Sequence, residues 1–148
     1  MKSVIWDTYI HLLNEIEFED FDLIVAIGSG GIIPAAFIQR KLNIPMKIIN
    51  INYRDPNHKP KYDDAVLLEG KDFFFKDKRI LLVDDVSRTG KTLRKAKEYL
   101  RGNQIKTFTI NGEGDYSFYN QEECLLMPWL AINNLRQGGE NDYKKTTR

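Results

Sequence analysis

The stretch Ile80-Leu81-Leu82-Val83-Asp84-Asp85-Val86-Ser87-Arg88-Thr89-Gly90-Lys91-Thr92-Leu93 narrows the choice of fold more than any other part of this chain. Apolar residues from Ile80 to Val83 predict a buried strand over Arg79 to Val83, and two carboxylates follow it. A short loop of hydroxyls, cations and one glycine then feeds a helical pattern from Thr92 to Leu100, closed near Gly102. A buried strand turning tightly into a helix is one half of a βαβ unit, and the other half is visible upstream. Asp22 to Ile27 is apolar and rich in β-branched residues, and Gly28-Ser29-Gly30-Gly31 comes next. Ile32 to Leu42 has helical spacing, with Pro34 in the first turn, where a missing N–H costs nothing. Met46 to Asn52 and Lys106 to Ile110 read as further strands, Ala65 to Leu68 as a short one, and Tyr116 to Tyr119 and Cys124 to Met127 as weaker ones. Trp6, Tyr9, Ile10, Leu13 and Ile16 predict an amphipathic opening helix. The alternation predicts an α/β fold, a mostly parallel central sheet flanked by helices. Such sheets bind ligands outside the carboxyl ends of their strands.

Size and charge narrow the function classes. The 148 residues, 17.3 kDa, predict a single domain over 1–133, with a polar, flexible tail over 134–148. With 22 basic and 21 acidic residues the chain lacks the basic excess of a general nucleic-acid binder. A local pocket for a small anion remains open. Cys124 is the single cysteine, so no internal disulfide forms, which suits a reducing cytoplasm. The longest apolar run, Leu23 to Ile27, is too short to span a membrane, and the N-terminus lacks a signal-peptide core.

Asp84 to Thr92 carries the densest chemistry. Free N–H groups and the positive dipole end at a helix N-terminus favour phosphate. Ser87, Thr89 and Thr92 add hydroxyls, and Gly90 lets the backbone approach an anion closely. Two adjacent carboxylates would repel a phosphate, so Asp84 and Asp85 are expected to face sugar hydroxyls or a Mg²⁺ that bridges to a second phosphate. A Walker A loop would need glycine at Asp85, which excludes that reading. At Gly28-Ser29-Gly30-Gly31 a dinucleotide fingerprint fails in the same way, since its third glycine would fall at Ile33. A structural turn and a phosphate cradle both fit this second loop.

Four apolar residues, two acids, a short variable stretch, Thr89-Gly90 and a final Thr92 resemble the 5-phosphoribosyl-1-diphosphate (PRPP) signature of type I phosphoribosyltransferases, closest to the short hypoxanthine and xanthine-guanine enzymes. The resemblance covers roughly residues 5 to 130 and implies that family's fold, with a small hood from segments near 1–15 and 112–132. It implies that Ser87, Arg88, Thr89, Gly90, Lys91 and Thr92 hold the 5′-phosphate, and that Asp84 and Asp85 contact the ribose and its Mg²⁺. Ser29, Gly30 and Gly31 stand where the family grips pyrophosphate, with an unusual peptide geometry expected there. Arg54, His58, Lys59 and Lys61 stand where it carries a loop that closes over PRPP. Glu123 to Trp129 resembles the purine-binding hood, which places Asn111, Leu125 and Trp129 at the base.

The implied activity is transfer of phosphoribose from PRPP to a nucleobase, a purine by first choice, with release of pyrophosphate and a nucleotide. The implied setting is a Mg²⁺-dependent cytoplasmic homodimer. Three departures affect the acceptor side. Arg88 replaces the acid that purine enzymes carry just before Thr-Gly, and an arginine cannot exchange a proton near neutral pH. Asn111 replaces a lysine aimed at the purine oxygen, and Cys124 replaces the stacking aromatic, a role open to Tyr116, Phe118, Tyr119 or Trp129. These departures keep a second reading in view, a PRPP- or nucleotide-binding regulatory protein with little transferase activity.

Overall fold

The computed structural model describes residues 2–52, 66–69 and 75–132. Its contacts divide the chain into two compact units, Glu15–Gln121 and a smaller one formed by Met1–Asn14 with Glu122–Arg148. Residues 112–121 thus belong to the larger unit.

In the smaller unit, β1 (Lys2–Ser3) leads into α1 (Trp6–Glu15). β8 (Leu125–Leu126) pairs parallel with β1, Lys2 opposite Leu125, and a 3-10 turn at Pro128–Leu130 follows. The spacing that predicted α1 buries Tyr9 and Leu13. Trp129 packs in this unit, its ring 5.1 Å from Tyr9 at 84° and 5.9 Å from Trp6.

The larger unit is built on β2 (Leu23–Gly28), α2 (Ile32–Leu42), β3 (Met46–Asn52), β4 (Val66–Glu69), β5 (Arg79–Ser87), α3 (Lys91–Tyr99), β6 (Gln104–Gly112) and β7 (Tyr116–Tyr119). The sheet order is β4-β3-β2-β5-β6-β7, with β3–β4 antiparallel and the other pairs parallel. β2 to β3 crosses in one direction through α2, and β5 to β6 in the other through α3. Right-handed crossovers in opposite directions put the two helices on opposite faces. Both faces are therefore covered at the centre, which is why β2 and β5 are apolar runs rather than alternating ones. Leu23, Val25, Ile27, Ile80 and Leu82 form one core cluster with Leu93, Ala96 and Leu100 of α3. Ile24, Ala26, Leu81 and Val83 point the other way by the period of two, and α2 packs on β2 and β5 through buried Ala35 and Ile38. Each such Leu or Ile contributes about 1.5–3 kcal/mol by leaving water.

β5 is longer than its apolar run predicts. It continues to Ser87 because β6 pairs with it throughout, with Asp84 opposite Thr109, Val86 opposite Asn111 and Ser87 opposite Gly112. The two acids therefore lie within a paired strand rather than in the loop beyond it. Adjacent strands β2 and β5 send the chain to opposite sides of the sheet, so the switch point lies at their carboxyl ends. Among the described residues no helix is long and apolar enough to cross a membrane.

Candidate active site at the ends of β2 and β5

At the switch point the two chemically dense segments meet. After β2 the chain passes through a cis Gly28–Ser29 peptide and turns at Gly30 and Gly31 into α2. Gly30 lies against Asp85, where a Cβ would stand 2.5 Å from the carboxyl carbon. Gly31 is hemmed in by backbone, its missing Cβ directed at the Val83 carbonyl and 2.8 Å from that of Ile27. The glycines are thus required by close approach: one makes room for a carboxylate, the other lets α2 start between two strands. Ser29 is exposed beside them.

Asp84 is buried, only 7 % exposed, and its Oδ1 accepts the Asp85 backbone N–H at 2.9 Å. Burial, reinforced by the neighbouring Asp85 charge, pushes its carboxyl well above the usual carboxylate range, while that N–H bond pulls the other way. Asp85 is half-buried and accepts the Val86 N–H at 2.7 Å. Two hard carboxylates side by side, one short of compensating positive charge, form a donor set that suits Mg²⁺. Among the described residues no cluster of three or more acidic, histidine or cysteine side chains exists. A Mg²⁺ here would take its remaining ligands from water and substrate phosphate, as that ion commonly does.

Arg88, Thr89 and Gly90 follow β5 as a tight bend, and Gly90, at φ +75°, caps α3. Gly90 at the N-cap has no side chain to cap the helix, whose dipole end favours an anion there. The Lys91 N–H lies 3.4 Å from Thr89 Oγ1, at the long end for such a bond. Lys91 and Thr92 are half-buried at the first turn. Arg94 donates to the Thr89 carbonyl at 3.1 Å and holds the bend from inside the helix. A groove of about 480 Å³ runs beside it, lined by Ser87, Gly90, Arg94, Lys97, Gly112 and Asp115 among others.

On the acceptor side, Arg88 Nη1 donates to the Gln121 carbonyl at 3.0 Å, and the Gln121 N–H donates to Asn111 Oδ1 at 3.0 Å. Asn111 is buried at the end of β6. Asn111 and Arg88 are thus joined through one residue that no motif singled out. Tyr116 and Phe118 are used in packing: Tyr116 lies 4.8 Å from the Phe18 ring and Phe118 lies 5.1 Å from Phe108. Leu125 is half-buried in β8, and Trp129 stands among Tyr9 and Trp6 in the smaller unit. Cys124 is exposed. Arg54, His58, Lys59 and Lys61 lie outside the described residues, as does the tail beyond residue 132.

Arg94 and Gln121 are the residues that motif reading missed. Arg94 stands four places after Gly90, on the same helix face, which is a usable signal. Gln121 offers no such signal, because its contacts come from two other strands.

The chain matches the family model described as phosphoribosyl transferase domain over residues 7–110. It is 33% identical over 138 residues to a xanthine-guanine phosphoribosyltransferase of Chromohalobacter salexigens, covering 86% of this chain and 82% of that one. It is 35% identical over 94 residues to an orotate phosphoribosyltransferase of Sulfurisphaera tokodaii, but spans only 44% of that protein's length. Among solved structures, a purine phosphoribosyltransferase from Pyrococcus horikoshii superposes with a TM-score of 0.71 at 26% identity, covering 90% of this chain and 96% of the other.

Proposed function

The chain belongs to the phosphoribosyl transferase domain family, and from that premise we propose that it transfers phosphoribose from PRPP to a nucleobase. The favoured acceptor is a 6-oxopurine such as hypoxanthine, guanine or xanthine. The observation that carries the reading is the meeting of Gly30 with the Asp85 carboxylate at the sheet's switch point, one bend away from the N-terminus of α3.

The 5′-phosphate sits on the N–H groups at Arg88 to Thr92, where the helix dipole favours negative charge. Asp84 and Asp85 face the ribose hydroxyls as acceptors. They would also hold a Mg²⁺, which would supply charge neutralisation to the pyrophosphate. Backbone N–H groups of Ser29 and Gly30 bind the leaving pyrophosphate as its charge grows, while the Gly31 N–H donates to the Ile27 carbonyl at 2.8 Å and fixes the turn. A ring nitrogen of the base forms a bond to C1′, the bond from C1′ to the pyrophosphate oxygen breaks, and the electron pair leaves with pyrophosphate. The sugar passes through an oxocarbenium-like state, favoured by nearby carboxylate charge. Arg88 takes no proton near neutral pH. The reading carries with it a cytoplasmic homodimer, which sedimentation would test.

The test is release of pyrophosphate from PRPP by folded protein with Mg²⁺, across a panel of purines and pyrimidines. Turnover with an oxopurine is expected. No turnover with any base rejects the transferase, and PRPP binding without turnover would favour the regulatory reading.

A further inference from the structure

We propose that Gln121 is a specificity-determining residue for the acceptor base, its carboxamide nitrogen donating to an oxo group on the base edge. The inference rests on the reading above, that this end of the sheet binds PRPP and a base. Gln121 lies two residues beyond Tyr119, where the pairing of β6 with β7 ends opposite Asn111. Its backbone is fixed on both sides: its N–H donates to Asn111 Oδ1 and its carbonyl accepts Arg88 Nη1, each at 3.0 Å. Those partners belong to β6 and to the bend after β5, so the residue is tied to both walls of the sheet's carboxyl end.

The side chain behaves differently from the backbone. Its Nε2 is buried and has no hydrogen-bond partner in the protein. Buried amide donors are nearly always paired, so a lone one marks a place where another molecule completes the network. The missing partner must be an acceptor. An exocyclic oxo group supplies one and an exocyclic amino group does not. The location fits as well. The Arg88 guanidinium and the Asn111 amide each bond to the Gln121 backbone, and neither pairs with its Nε2. Gln121 thereby takes up, with a neutral amide, the task of reading the base's oxygen.

The experiment measures dissociation constants by calorimetry on the full-length chain with Mg²⁺, using PRPP, inosine 5′-monophosphate and adenosine 5′-monophosphate. The last two differ at C6, oxo against amino. Gln121→Met keeps the side chain's length and leaves both backbone hydrogen bonds in place. It is expected to weaken inosine monophosphate about tenfold, the worth of one such bond, while PRPP affinity stays within about twofold. The preference for the oxo nucleotide narrows by the same factor. Gln121→Glu keeps the shape but replaces the donor with an acceptor, and is expected to shift the ratio towards the amino nucleotide even where the Met variant is too unstable to titrate. An unchanged oxo-to-amino ratio in folded variants that still bind PRPP overturns the role of Gln121 alone. Loss of PRPP affinity by the same factor as the nucleotide assigns it a structural role instead, and overturns it too. Wild-type protein that binds no PRPP overturns the underlying reading.

Discussion

Gly30 and Gly31 are neighbours in sequence, yet the structure gives them different tasks, and alanine at each separates site from scaffold. At Gly30 an added Cβ would meet Asp85 at 2.5 Å from both Cγ and Oδ1 and 2.6 Å from Oδ2. That is roughly an ångström inside contact distance, but the obstacle is the end of a half-buried side chain that can rotate away. The move breaks the 2.7 Å bond from the Val86 N–H to Asp85 Oδ1. Losing one such bond near solvent costs about 1 kcal/mol. At Gly31 the obstacles are the backbone carbonyls of Val83 and Ile27, in paired core strands. Neither can move without shifting the sheet, so Gly31→Ala is expected to cost about 3 kcal/mol or more. Urea unfolding gives the two stabilities, and calorimetry with Mg²⁺ and PRPP gives the two affinities. Gly30→Ala should stay folded with PRPP binding weakened at least about tenfold, because Asp85 has left its position. Equal destabilisation by both substitutions, or full PRPP affinity in Gly30→Ala, would refute the assignment.

Three more outcomes follow from other parts of the fold. Asp115 Oδ2 accepts both the Thr107 N–H at 2.8 Å and its hydroxyl at 3.1 Å, so Asp115→Ala strands a buried backbone donor and should cost about 1–3 kcal/mol in urea unfolding. Arg88→Asp restores an acid just before Thr89-Gly90 and releases the Gln121 carbonyl; a rise in purine turnover is expected, and steady-state rates across the base panel check it. The Arg79 guanidinium and N–H hold the Asp22 carboxyl down at about 2, against an ordinary 3.8. A depressed carboxyl stabilises the fold above its unfolded value and loses that contribution as pH falls. The stability gap between wild type and Asp22→Asn should therefore shrink between pH 3.8 and about 2, as thermal melts across that range would record.

Much of this was legible before any coordinates, and the reason is local. Leu23 to Ile27 and Ile80 to Val83 are apolar on both faces because helices cover both, and the chain must turn polar where the cover ends. The glycine loop and the acidic pair announce those ends. The length of β5 was not legible, since Val86 and Ser87 are held in the strand by β6, a partner sequence-distant from them. The packing of the aromatic residues was not legible for a related reason. Tyr116 packs on Phe18 and Phe118 on Phe108, partners on other segments of the chain. The acceptor side was hardest to read because it depends on single polar residues. Asn111, Arg88 and Gln121 come from three segments, and only the folded sheet brings them into one hydrogen-bonded chain.

The central claim is that Asp84 and Asp85 form the floor of a PRPP site. The direct measurement is calorimetric titration of PRPP with Mg²⁺ into wild type and into the Asp84→Asn, Asp85→Asn double variant, with a melt of each. Asparagine keeps the shape of both side chains and relieves the desolvation cost of burying the Asp84 charge together with its repulsion by Asp85. The account predicts a variant at least as stable as wild type in which PRPP binding is lost. A variant that binds PRPP with wild-type affinity would contradict it.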